Sequence, residues 1–105
     1  MAYKLMITDR AAELLDGALN YPVLYLKNQS AALHLLDSVE SIYSRLEENP
    51  MQFPLCEDFL LKSRKYRKAA FPEMSYVLIY RIEEEEKTVY VLGIFNDREN
   101  YKNKL

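Results

Sequence analysis

Hydrophobic and polar positions along the chain change period three times. Tyr3 to Thr8 alternates apolar and polar residues over a few positions, which predicts a short first strand. Ala11, Leu14, Leu15, Ala18, Pro22 and Tyr25 then fall on one face at helical spacing. Thr8 or Asp9 is placed to cap that helix, because a short side-chain oxygen can accept from an otherwise unpaired backbone N–H. Pro22, one turn after Gly17, is expected to bend or interrupt it. Asn28-Gln29 reads as a short break, with Ser30 as the cap of a second helix. Ala32, Leu35, Leu36, Val39, Ile42, Tyr43 and Leu46 repeat at three and four residues and form one continuous apolar stripe on it. Glu47 to Pro50 end the stripe, and the short link predicts an antiparallel helical hairpin.

The period then shortens. Pro50 to Glu57 reads as a loop punctuated by Pro50 and Pro54. Strand character resumes near Tyr66 and is strongest in Ser75 to Ile82 and Lys87 to Phe95, both rich in Val, Ile and Tyr. Apolar residues occupy both faces of these segments. They are therefore expected to be central strands, covered by helices on one side and by a partner or the tail on the other. Glu83 to Glu86 reads as an exposed hairpin connection. The predicted fold class is α+β: an N-terminal strand, a helical hairpin, and an antiparallel sheet region of about three strands packed on the helices. At 105 residues the chain is expected to form one domain spanning 1–105.

Composition narrows the function classes. Half of the residues are apolar and 29% are charged, the balance of a folded domain. The first residues lack the apolar core of a signal peptide and no run is long enough to span a bilayer, so a cytoplasmic protein without a membrane partner is expected. One cysteine, Cys56, and one histidine, His34, are too few for a Cys/His zinc site, and neither a metal nor a cofactor is expected. Glu57 and Asp58 beside Cys56 would raise its thiol pKa, which argues against a nucleophile. His34 lies beside the stripe rather than on it and reads as a surface residue. Tyr76, Tyr80 and Tyr90 read as packing residues of the strands.

Net charge is −2, which argues against broad electrostatic binding to nucleic acid. The distribution is less even. Lys62, Arg64, Lys65, Arg67 and Lys68 put five cations within seven positions, while acids gather at Asp37 to Glu48 and Glu83 to Glu86. Arg64, Lys65, Arg67 and Lys68 are candidates for contact with a target or inhibitor; alternatively they form a solvated basic segment that protects an edge strand. Alternation in a strand Tyr66–Phe71 would put Arg67 and Lys68 on opposite faces. Arg81 either reaches the open sheet face or pairs with Glu83. Arg98 and Tyr101 either engage a target or belong to an ordinary chain end.

Several short segments, read in order, carry a resemblance. They are Tyr3-Lys-Leu-Met-Ile-Thr8, Ala31-Ala32, Leu46 through Pro50, Tyr66-Arg-Lys68, Tyr76-Val-Leu-Ile-Tyr-Arg-Ile82, Thr88-Val-Tyr-Val91 and Arg98-Glu-Asn-Tyr101. Together they resemble the RelE/ParE superfamily of bacterial type II toxins, where the last segment often reads Arg-Arg-Asp-Tyr. The resemblance implies a toxin neutralised by a cognate antitoxin encoded beside it, as a homodimer or a heterotetramer with that antitoxin. RelE-like members cut mRNA in the ribosomal A site; ParE-like members poison DNA gyrase, an activity linked to plasmid stabilization. RNA cleavage needs cationic groups against the developing phosphorane. RelE-like toxins supply one from an Arg at the position of Val77 here, and Asp97 stands where a further cation is expected. The departures favour the ParE-like branch, inhibiting DNA gyrase by protein–protein binding. A ribosome-dependent mRNA endonuclease using Arg67, Arg81, Arg98 and Tyr101 is the alternative, and a non-toxic interaction module on the same fold is a third.

Overall fold

The computed structural model describes residues 2–24, 27–72 and 74–105, without the side chains of residues 21–24. The first strand, β1 (Lys4–Ile7), turns Leu5 and Ile7 inward and leaves Lys4 and Met6 exposed. Thr8 follows it and does two jobs. Its hydroxyl donates to the carbonyl of Val91 at 2.9 Å and accepts from Ala11 N–H at 3.1 Å. One side chain thus caps α1 (Asp9–Leu24) and ties its start to the sheet.

Pro22 does not interrupt α1, which continues to Leu24. Proline there falls in the last turn, where few backbone bonds remain to be broken. Tyr25 and the side chain of Pro22, both placed on the apolar face from sequence, lie outside the described residues. The second helix, α2 (Gln29–Glu48), is capped by Asn28 rather than Ser30: Asn28 Oδ1 accepts from Ala31 N–H at 3.1 Å. Its stripe is buried at Ala32, Leu35, Val39, Ile42 and Leu46, as its period requires. His34 is exposed.

Asn49 closes α2 and opens a 3₁₀ turn (Pro50–Gln52) by accepting from Met51 N–H. A short helix absent from the sequence reading, α3 (Phe59–Ser63), follows, with Asp58 Oδ2 accepting from Leu61 N–H. It is only five residues long, too short for a periodic signal. Three strands complete the sheet: β2 (Arg67–Ala70), β3 (Tyr76–Glu83) and β4 (Thr88–Asn96). A second 3₁₀ turn (Tyr101–Lys104) ends the chain.

The strand order is β1-β4-β3-β2. β2, β3 and β4 are antiparallel as expected. β1 lies parallel to β4, with Lys4 opposite Thr88, so the sheet is mixed and four-stranded. Both faces are covered. Ala11, Leu35, Val39, Ile42 and Leu46 of the helices pack on Leu78, Tyr80, Val89, Val91 and Ile94. On the opposite face Val77, Ile79 and Phe95 are buried with Cys56 and Leu61, under Tyr101 and Leu105. The chain's own tail therefore supplies the second cover. Among the described residues no helix is long and apolar enough to cross a membrane.

Candidate functional site

The cationic stretch is split by the local backbone. Lys62 lies on α3, Arg64 caps its C-terminus, and Lys65 takes a left-handed φ of 62°. That turn lets Tyr66 N–H bond back to Leu61 O before β2 starts. Within β2, Arg67 pairs with Tyr80 and shares the helix side of the sheet with it, while Lys68 pairs with Ile79 on the other side. The charge of Lys68 accordingly acts on Cys56, whose thiol is nevertheless held above its ordinary pKa, chiefly by burial. A buried protonated thiol is a poor nucleophile.

Arg67 is anchored. Its guanidinium donates to the carbonyl of Phe53 at 2.6 Å and reaches that of Met51 at 3.5 Å. Tyr80 lies beneath, fully buried, and its hydroxyl donates to the carbonyl of Pro50. Burial pushes the Tyr80 phenol well above its ordinary value, with the positive charge of Arg67 pulling the other way. Two strand residues thereby fix the Pro50–Phe53 segment. Its Met51 side chain is left half-exposed at the rim of an open groove of about 670 Å³.

Arg81 reaches the same groove from the opposite face of the sheet. Its guanidinium lies 4.3 Å from the centre of the Tyr90 ring and 3.4 Å from Glu83 Oε2, which realises the ion-pair reading. Tyr90 in turn donates to Glu86 at 2.9 Å, and that bond, with burial, raises its phenol pKa. Arg64, Lys65, Arg67 and Arg81 thus line one groove, although Arg67 and Arg81 belong to opposite sheet faces. They converge because the groove wraps the end of β2. Glu83, Glu84 and Glu85 line its other end.

Lys68, Arg98 and Tyr101 do not join them. Tyr76 pairs with Asn96, and Arg81 lies five residues along β3 from that level, about 17 Å at strand rise. Arg98 is exposed beyond Asn96, its backbone N–H bonded to Asn96 Oδ1. Tyr101 stacks on Phe95 with ring centres 5.3 Å apart, and burial first, then nearby acids, raises its phenol pKa. Lys102 holds this tail to Asp58 at 3.6 Å. Arg67, Arg81, Arg98 and Tyr101 therefore do not surround a common point. Val77 is 3% exposed, within the apolar layer under the tail.

Sequence reasoning missed the apolar residues that line the groove and the acids at its end. Met51 and Leu55 sit in a proline-flanked loop with no period to flag them, and the glutamates read as a solvated turn. Phe59, 87% exposed on α3, and Leu60 were also missed. Two adjacent apolar residues just after the Asp58 cap were the available signal.

A family model described as the ParE toxin of type II toxin–antitoxin system, parDE, matches residues 5–101. No curated protein sequence matches the chain. Among solved structures, a chain of the chromosomal ParDE system from P. aeruginosa is similar at a TM-score of 0.71 and 18% identity, covering 90% of this chain and 96% of that one. A chain of the toxin–antitoxin complex RelBE2 from Mycobacterium tuberculosis is similar at a TM-score of 0.57 and 21% identity, covering 91% and 99%. At these identities the two structures establish the shared fold.

Proposed function

Because this chain belongs to the ParE toxin family of type II toxin–antitoxin systems, we propose that it acts by binding a protein target, DNA gyrase, and that a cognate antitoxin neutralises it in the cytoplasm. One observation supports binding over chemistry. The sheet face around Val77, where an mRNA endonuclease of this fold needs cations, is an apolar layer of Cys56, Leu61, Val77, Ile79 and Phe95 under the tail. A developing phosphorane charge would find no donor there. The cations that do converge, Arg64, Lys65, Arg67 and Arg81, share their groove with three glutamates. That mixture suits a protein surface better than a polyphosphate backbone.

The test is pulse-labelling of DNA and protein synthesis just after induction without antitoxin. DNA synthesis should fall first. Translation falling first would replace the gyrase reading with the endonuclease one. Unimpaired growth at full expression would leave only a non-toxic interaction module.

A further inference from the structure

Side chains from three elements fix the Pro50–Phe53 segment. Asn49 Oδ1 accepts from Met51 N–H at 3.1 Å, and Gln52 Nε2 donates to the carbonyls of Arg45 at 3.0 Å and Asn49 at 2.8 Å. Arg45 of α2 donates through Nε to Gln52 Oε1 at 2.8 Å, and its guanidinium lies 4.7 Å from the centre of the Phe53 ring. Arg67 Nη1 of β2 and the Tyr80 hydroxyl of β3 hold the segment through its backbone carbonyls.

What this fixed segment presents is Met51, 47% exposed at the rim of the groove. Its sulfur has a cationic neighbour: Arg67 Nη2 donates to Met51 Sδ at 3.6 Å. A thioether sulfur is a weak acceptor, so the contact contributes little as it stands. An added oxygen changes that. A half-exposed thioether reacts with hydrogen peroxide: sulfur gives an electron pair to one peroxide oxygen, the O–O bond breaks, and the second oxygen leaves as water. Sulfur is oxidised to the sulfoxide and the peroxide is reduced. The sulfoxide oxygen is polar, and the flexible methionine side chain can turn it toward Nη2. A charge-assisted hydrogen bond then replaces the weak one, with a donor already in place and no movement of the backbone.

We propose that Met51 is a site of reversible oxidation by peroxide, and that Arg67 is the positioning residue that holds its sulfoxide. A methionine sulfoxide reductase supplied with a dithiol reverses the step: the dithiol becomes a disulfide and the oxygen leaves as water. The modification puts a polar group where an apolar one faced the groove, leaving Leu55 and Ile82 as the apolar part of its lining. Any partner seated there loses an apolar contact. That last consequence rests on the reading of this protein as a binder. The modification does not, and its test uses neither gyrase nor antitoxin, so each can fail alone.

The experiment treats the full chain with excess hydrogen peroxide, follows each methionine by peptide mapping, and measures Tm by circular dichroism. Met6, 41% exposed on β1, is the internal comparison for access of the reagent. Tm is read in the Met6→Leu/Met74→Leu background, so that the response reports Met51. Met51 should gain one oxygen atom while Tm stays within about 1 °C, and reductase with dithiothreitol should remove that oxygen. With Arg67→Lys added, which keeps the charge and loses the forked donor, the same oxidation should lower Tm by about 5 °C. A second pair of variants decides the matter if Arg67→Lys does not fold. Met51→Gln places an amide oxygen where the sulfoxide oxygen would stand, and it should unfold at a higher temperature than Met51→Leu, which has no acceptor. An unmodified Met51 beside an oxidised Met6, equal losses of Tm with and without Arg67→Lys, or a Met51→Gln protein less stable than Met51→Leu would each overturn the proposal.

Discussion

Tyr80→Phe tests how the groove is held open. Tyr80 is fully buried, its ring meets Phe53 edge-on at 6.3 Å between centres, and its hydroxyl donates to the carbonyl of Pro50. Phenylalanine keeps the ring and removes only the donor. The buried Pro50 carbonyl then loses that partner, a loss of about 1–3 kcal/mol. In a domain of this size each kcal/mol lowers Tm by about 4–8 °C, so a fall of about 10 °C is expected near the middle of that range.

The pH dependence gives a second, independent reading of the same substitution. The folded phenol is held above its ordinary value near 10, chiefly by burial. As pH rises past 10 the unfolded chain releases this proton before the folded one, so folding loses stability in that window. The contribution is fully present below pH 10. Tyr80→Phe lacks the group and should lose less stability between about pH 9 and 11 than the parent. Urea denaturation followed by circular dichroism across that range measures both effects. A loss under about 0.5 kcal/mol, or identical alkaline slopes for the two proteins, would refute the role assigned to the Tyr80 hydroxyl.

Two further substitutions probe the opposite face. Val77→Arg would bury a charge among Cys56, Leu61, Ile79 and Phe95; a loss of about 3–5 kcal/mol in denaturant unfolding is expected, with no RNA cleavage. A folded variant that cuts mRNA on ribosomes would restore the endonuclease reading. At Gly93 an added Cβ would stand 2.5 Å from Phe95 Cε2 and 3.1 Å from Leu14 Cδ1. Phe95 carries the stacked Tyr101 and has little room to yield, so Gly93→Ala should lower stability by about 1–3 kcal/mol in the same assay, and a neutral result would contradict this close approach.

What the sequence by itself determined is set by local periods. The three-and-four repeat from Ala32 to Leu46 allows one buried face, and that face is the one the sheet covers. The Val- and Ile-rich runs with apolar residues on both sides required cover twice, and the structure covers them twice. Alternation in β2 already separated Arg67 from Lys68. Such features depend on residues a few positions apart, whose relative directions the helix or strand geometry fixes.

Only the tertiary structure decided which distant residues meet. The parallel pairing of β1 with β4 joins segments more than 80 residues apart, and nothing in either segment encodes its partner. Arg81 joins Arg64 and Lys65 because β2 stops at Arg67, and the stop depends on the turn at Lys65 rather than on strand propensity. Arg98 and Tyr101 were grouped with the basic stretch by residue type, yet the antiparallel β3–β4 hairpin carries them to the opposite end of the sheet. Residue type marks what a side chain can do; strand register and strand length decide what it does it with.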